Sequence, residues 1–258
     1  MAGKVSRWRG LDSMRLLGAR PATITGIAAT VTVASLLLAG CATTASGATT
    51  QRQAISRALV TADGHHVVVP VTAGGCVQRS ILTATETASR VTLVLRQILS
   101  GSICAAILSV GTTAVVLRHP LSGRALVDGT SGHRIPYFDG RKLLRVTYLP
   151  AGYRFSSYFP AAAGGWERQF VSVDGPLIIV QVPGSAAASP TWPVQFRAGV
   201  DGRPATVHID SDNGQAYGRA ISWTADGYTF AVYSLIMQAG QQPLGVAALT
   251  RIAAGLRS

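Results

Sequence analysis

The stretch Gly218-Arg219-Ala220-Ile221-Ser222-Trp223-Thr224-Ala225-Asp226-Gly227-Tyr228-Thr229-Phe230-Ala231-Val232-Tyr233-Ser234-Leu235-Ile236 holds two runs of alternating apolar and polar residues, joined at Asp226-Gly227. Neighbouring side chains of an extended strand point to opposite faces, so such alternation buries one face. Asp-Gly supplies the positive φ angles that a tight two-residue turn demands. The stretch therefore reads as a β-hairpin. Upstream, Arg168–Val173 and Leu177–Val182 flank Asp174-Gly175-Pro176 in the same way, and Ala205–Ile209 is a further strand. Downstream, Leu244, Ala248, Leu249, Ile252 and Leu256 recur at helical spacing, with Pro243 near the first turn. Residues 141–258 are thus expected to form an antiparallel sheet covered on one face by a C-terminal helix.

The preceding block, residues 54–140, is also β-rich. Val67–Val71, Arg79–Thr87, Arg90–Leu99 and Thr112–Leu117 are apolar or alternating runs, with Ala88-Ser89 as a turn between the second and third. Pro120, Gly123, Asp128-Gly129 and Gly132 then punctuate short extended pieces. The expected class is mainly β with a C-terminal helix, in two β-rich domains. Residues 42–53 are small and polar without periodicity, a flexible tether spanning about 20 Å as a coil.

The N-terminus sets the compartment. Lys4, Arg7, Arg9, Arg15 and Arg20 oppose one acid, Asp12, ahead of an apolar stretch from Ile24 to Leu38. That stretch is shorter than the roughly 20 residues of a membrane-spanning helix. With Leu38-Ala39-Gly40-Cys41 after it, residues 1–40 read as a cleaved secretory signal. Initiation at Met14 would leave Arg15 and Arg20 as a compact basic region. Leu-Ala-Gly-Cys resembles the lipobox of bacterial lipoproteins. The resemblance implies cleavage between Gly40 and Cys41, with diacylglycerol on the Cys41 thiol and an acyl chain on its new amino group. No other cofactor is expected. The protein would sit on the outer face of the cell membrane, held by more than one chain as stable anchoring requires. In similar lipoproteins a threonine-rich tether carries sugar, which makes Thr43, Thr44, Thr49 and Thr50 candidates.

Once Cys41 carries lipid, Cys76 and Cys104 remain as an even pair in an oxidising compartment, where a disulfide is expected. Closing that loop would contribute about 3–4 kcal/mol in the chain-entropy model.

Two further stretches resemble known families. Pro120-Leu121-Ser122-Gly123-Arg124-Ala125-Leu126-Val127-Asp128, with Gly132 and Ile135-Pro136, resembles a phrase of actinobacterial envelope proteins. Tyr148-Leu149-Pro150-Ala151-Gly152-Tyr153, Leu177-Ile178-Ile179-Val180-Gln181 and Ile221-Ser222-Trp223 before Asp226-Gly227-Tyr228 resemble a domain of envelope lipoproteins and regulators of anti-sigma factors. The resemblance implies a sheet-and-helix fold and no chemistry.

The whole chain carries a net charge of +12; removing residues 1–40 takes away five cations and one acid and leaves +8. All but two of the cations are arginine, a composition that suits a high-G+C genome. His133, Arg134, Arg141, Lys142, Arg145 and Arg154 form a basic stretch. Of these, Arg134, Arg141, Lys142 and Arg145 are the candidates for contact with lipid phosphate or a wall polymer. Hydrolase motifs are missing, and Glu86 and Glu167 are the only glutamates, so a glycosidase pair would draw on turn aspartates. His65-His66 would point to opposite faces of a strand, which argues against a shared metal. Asp210-Ser211-Asp212-Asn213-Gly214 begins like a calcium loop, but its glycine comes a residue early and Ile221 stands where the closing glutamate belongs. Trp166, Trp192, Trp223 and several tyrosines furnish core, or a pocket for an apolar or sugar ligand.

The expectation is a non-enzymatic binding or sensing module of the envelope. Its partner would be an envelope lipid, a wall polymer or another envelope protein, with no nucleic acid. A carrier of apolar ligand would instead show a cavity between sheet and helix. A hydrolase would show His, Ser and Asp within hydrogen-bond reach in a cleft.

Overall fold

In the computed structural model the described residues are 48–100, 108–186, 188, 191–238 and 240–258. Gly40, Cys41, Cys104 and the expected glycosylation sites Thr43 and Thr44 lie outside them. The first sheet contains β1 (Thr49–Gln53), β2 (Ala58–Val60), β3 (His66–Gly74), β4 (Val77–Glu86), β5 (Arg90–Leu99), β6 (Leu108–Val116), β7 (Ala125–Asp128) and β8 (Tyr137–Asp139). β4 and β5 pair along their length, as do β3 and β6, whereas β3 and β4 meet only at Gly74 and Val77. The sheet is thus folded over at that turn. Val67, Val69 and Val71 of β3 face Leu82, Val91, Leu93 and Leu95 of β4 and β5 in one buried cluster. β2 continues the β3 layer and pairs in parallel with β8.

Residues 49–53, read from sequence as tether, form β1 instead. The reason lies in β5. β7 occupies its edge only from Arg90 to Leu93, which leaves the main-chain groups of Leu95–Leu99 in need of partners. β1 supplies them, from Gln53 opposite Leu95 to Thr49 opposite Leu99.

A short pair, β9 (Arg145–Val146) with the C-terminal β17 (Leu256–Arg257), stands apart from both large sheets. The second sheet is antiparallel throughout, in the order β10 (Arg154–Pro160), β11 (Trp166–Ser172), β12 (Gly175–Pro183), β16 (Tyr228–Leu235), β15 (Gln215–Ala225), β14 (Arg203–Asp212) and β13 (Val194–Val200). From β13 to β16 the chain meanders through two-residue turns, Asp201-Gly202, Asn213-Gly214 and Asp226-Gly227, each with both φ angles positive. The calcium-like segment is thereby the end of β14 and an Asn-Gly turn. The Asp174-Gly175-Pro176 hairpin turns one residue earlier than its glycine suggests, because Gly175 already pairs with Ser172.

One face of this sheet is covered by α1 (Val246–Ala254). Leu249 and Ile252 are wholly buried, and with Leu256 they pack on Leu177, Ile179, Ile221, Phe230 and Val232. The helix is shorter than its apolar spacing suggests. Arg219 donates to the Pro243 carbonyl and the Ser234 hydroxyl accepts from the Leu244 N–H, holding that approach extended. At the other end Thr147 binds the Gly255 carbonyl through both its N–H and its hydroxyl, which draws Leu256 out of the helix and into β17.

Both sheets lie within one compact unit, Ala45–Ser258. They meet through Leu59, Val68 and Phe138 of the first sheet and Trp166 of the second, with Tyr158 and Tyr228 packed against them.

Candidate functional site

Beside that junction the outer side of β3 and β6 faces β10 across a cleft of about 370 Å³. One wall is Thr61, His66, Val68, Thr112, Thr113 and Ala114; the other is Phe155, Ser156, Ser157 and Tyr158. The floor is closed by the Thr112 hydroxyl, which donates to the Tyr158 carbonyl at 2.9 Å. A β-bulge between Phe155 and Ser157 sets the second wall, a distortion that re-aims side chains. It leaves the Phe155 ring half-exposed, 4.8 Å from the Tyr158 ring and 5.8 Å, edge-on, from Phe170. The ring is braced by both neighbours and leaves one side open to the cleft. Burial pushes the Tyr158 phenol up, so it remains a neutral donor.

His66 is held from below. Its Nδ1 lies 3.2 Å from an Asp63 carboxylate oxygen, and that carboxylate also accepts from the Thr61 hydroxyl and the His65 N–H. The Thr61 hydroxyl, then the His65 amide, hold Asp63 down to about 2. No lysine or arginine lines the cleft. It presents a mostly apolar lining with an aromatic face, one imidazole and a few hydroxyls.

Family models, curated proteins and solved structures were all compared with the chain, and none matches it.

Where the chain passes from one sheet to the next, two buried polar residues pin it. Gln181 donates to the Lys142 carbonyl at 2.7 Å and accepts from the Leu144 N–H at 3.1 Å. Arg168, 8% exposed, donates to the Leu144 carbonyl. Desolvation lowers its guanidinium to about 10.

The face of the second sheet opposite α1 carries the remaining chemistry. Glu167 on β11 is hydrogen-bonded to Tyr233 on β16, and burial raises the carboxyl against that bond. Trp192 lies over Gly218, where any Cβ would collide with the indole ring, and meets Tyr233 edge-on at 6.0 Å. His208 bridges the Trp192 carbonyl (3.1 Å, Nδ1) and the Ser222 hydroxyl (3.2 Å, Nε2). A His–Ser pair is half of the hydrolase arrangement. The second ring nitrogen, however, meets a main-chain carbonyl where a carboxylate would stand. Ser222 sits mid-strand, paired with both Thr206 and Ala231.

The basic residues singled out in sequence are distributed over three elements. Arg134 is exposed and bridges to Val127 beside β7. Arg141 grips Asp139 through Nε and Nη2 at 3.0 and 2.7 Å, so its charge is matched. Lys142 shares its turn, exposed, and Arg145 lies in β9 opposite Arg257. His65 and His66 have different partners, the Leu117 carbonyl and Asp63. Cys76 is disulfide-bonded. The cleft escapes sequence reading because Thr112 and Tyr158 are 46 residues apart. Its one local signal is Phe155-Ser156-Ser157-Tyr158, two aromatics flanking two hydroxyls.

Proposed function

We propose that the chain is a non-enzymatic lipoprotein, anchored through Cys41 on the outer face of the cell membrane, and that it binds an envelope ligand in the inter-sheet cleft. The ligand class is an uncharged, hydroxyl-rich molecule such as a saccharide unit of a wall polymer. The observation that carries this reading is the half-exposed Phe155 ring beside the Ser156 hydroxyl and the Tyr158 phenol, with His66 on the opposite wall. A sugar ring is itself two-sided, with an apolar C–H face and hydroxyl edges, and aromatic rings beside a few convergent polar groups suit it. No lysine or arginine in its lining offers a charge-assisted bond to an anionic ligand.

The non-enzymatic reading is supported by His208, whose ring is tied to a carbonyl, and by Ser222, whose strand has neighbours on both sides. An acyl carrier would need room under α1, which Leu249, Ile252 and Leu256 fill.

Native mass spectrometry of protein extracted from its own membrane tests the ligand. A saccharide adduct is expected on the wild type and lost from Phe155→Ala. A lipid adduct that survives Phe155→Ala would overturn the assignment. Labelled palmitate tests the anchor: the label is expected on the wild type and absent from Cys41→Ser, and equal labelling of both would end the lipoprotein reading.

A further inference from the structure

The outer face of the β1-β5-β4 layer carries four exposed arginines, and three of them cluster at the end away from Arg90. Arg52 on β1 stands directly opposite Arg96 on β5, and Arg79 on β4 lies diagonally beside it, opposite Ile98. Arg52, Arg96, Arg79 and Ile98 alternate outward, away from the buried Leu82, Leu93 and Leu95. Like charges placed directly across a strand pair repel. Nothing on the layer offsets them. The one carboxylate in these three strands is Glu86, at the far end of β4, and it already accepts from the Arg118 and His119 amides and from Arg124. The other acids of the first sheet are engaged too, Asp63 with His66, Asp128 with Ser131 and Asp139 with Arg141.

The position of this face matters as much as its charge. β1 begins at Thr49, so only residues 42–48 separate it from Cys41. Seven residues reach at most about 25 Å fully extended, and about 15 Å as a coil. With Cys41 in the bilayer, the first strand of the fold is brought close to the headgroups. Electrostatic attraction acts within about 8 Å at physiological salt, which so short a link allows.

We propose that the Arg52–Arg96–Arg79 face docks on anionic phospholipid headgroups, so that lipid and basic face together fix how the protein lies on its membrane. The proposal rests on the anchor reading for its geometry, while its test is independent of the lipid. Each arginine near an anionic surface contributes a factor of roughly five to binding, and three together about a hundredfold. Headgroup phosphates would also relieve the repulsion between Arg52 and Arg96.

The test uses the unlipidated chain beginning at residue 42, since residues 48–258 contain both cores. Co-sedimentation compares vesicles of phosphatidylcholine alone with vesicles containing phosphatidylglycerol. Wild type should prefer the anionic vesicles and release them in high salt. The triple variant Arg52→Ser, Arg79→Ser, Arg96→Ser should bind them about a hundredfold more weakly, with its thermal unfolding temperature unchanged or raised. A second triple variant, Arg134→Ser, Lys142→Ser, Arg145→Ser, should bind like wild type. Equal binding of wild type to both vesicles, or an undiminished first variant, overturns the proposal. Binding to a soluble phosphate-rich wall polymer but not to vesicles overturns the headgroup assignment. Loss of palmitate labelling with vesicle binding intact would defeat the anchor and leave the face standing.

Discussion

Leu249→Ala asks whether α1 is a structural element or a detachable cover. The side chain has no exposed surface and lies in a cluster with Trp223, Ile252 and Leu256. Truncation to alanine removes buried methyl groups and leaves a cavity beside a helix of only nine residues. Such changes cost about 2–5 kcal/mol, and full burial on a rigid sheet places this one near 3 kcal/mol. With a urea slope of about 3 kcal/mol per molar, the unfolding midpoint should fall by about 1 M. Trp223, stacked on Phe230 at 5.4 Å, reports the transition by fluorescence. Amide exchange gives the local answer, and protection across β15 and β16 should drop with the midpoint. A midpoint shift below about 0.3 M, with protection in those strands retained, would refute the reasoning. It would show that the sheet does not depend on the helix and would raise the acyl-carrier reading.

Gln181→Ala should cost about 2–3 kcal/mol, because the Lys142 carbonyl and the Leu144 amide lose their buried partner; thermal unfolding measures it. Asp63 is held below its ordinary value in the fold, so its contribution is present above the usual carboxylate range and lost as pH falls toward about 2. Asp63→Asn should therefore flatten the acid limb of a stability-versus-pH curve, by a small amount because the group is half-exposed. Glu167 shows the opposite sign. Burial raises its carboxyl, so its stabilising effect is full below the usual glutamate range and fades as pH rises through the raised value. Glu167→Gln should remove that fading while a carbonyl oxygen remains for Tyr233. Titration of unfolded, unreduced mature protein should find no free thiol if Cys76 pairs with Cys104, and two reactive thiols would exclude the pairing.

The legible parts of this fold are those in which the signal is local. Asp226-Gly227 announces its hairpin because a two-residue turn of this kind needs both positive φ angles from its own residues. The apolar spacing of Leu249, Ile252 and Leu256 likewise identifies the side of the C-terminal segment that meets the sheet. β1 is hidden because its partner is the vacant edge of β5, 42 to 50 residues on, and its Thr-Thr-Gln-Arg-Gln sequence has no apolar face. β13 is hidden for a related reason, since as an edge strand it is mostly exposed and shows little alternation. β10 loses its period at the bulge that presents Phe155. Both helix ends fall inside the apolar spacing because tertiary bonds from Arg219, Ser234 and Thr147 outweigh it. The cleft was illegible throughout, as each wall comes from a different sheet.

β1 has a mechanical consequence. It is five residues long, nearly all exposed, and holds to the rest of the protein through one edge of β5. If Cys41 is fixed in a bilayer, any drag on the folded body reaches this ladder first. Peeling it away would free the backbone up to Ala54, because the next residue, Ile55, is buried in the core. The slack between lipid and fold would grow from 7 residues to about 13, and its coil span from about 15 Å to about 20 Å. On such an anchor β1 would be a short reel of stored backbone, let out under load and rewound when the load is gone, with both hydrophobic cores intact.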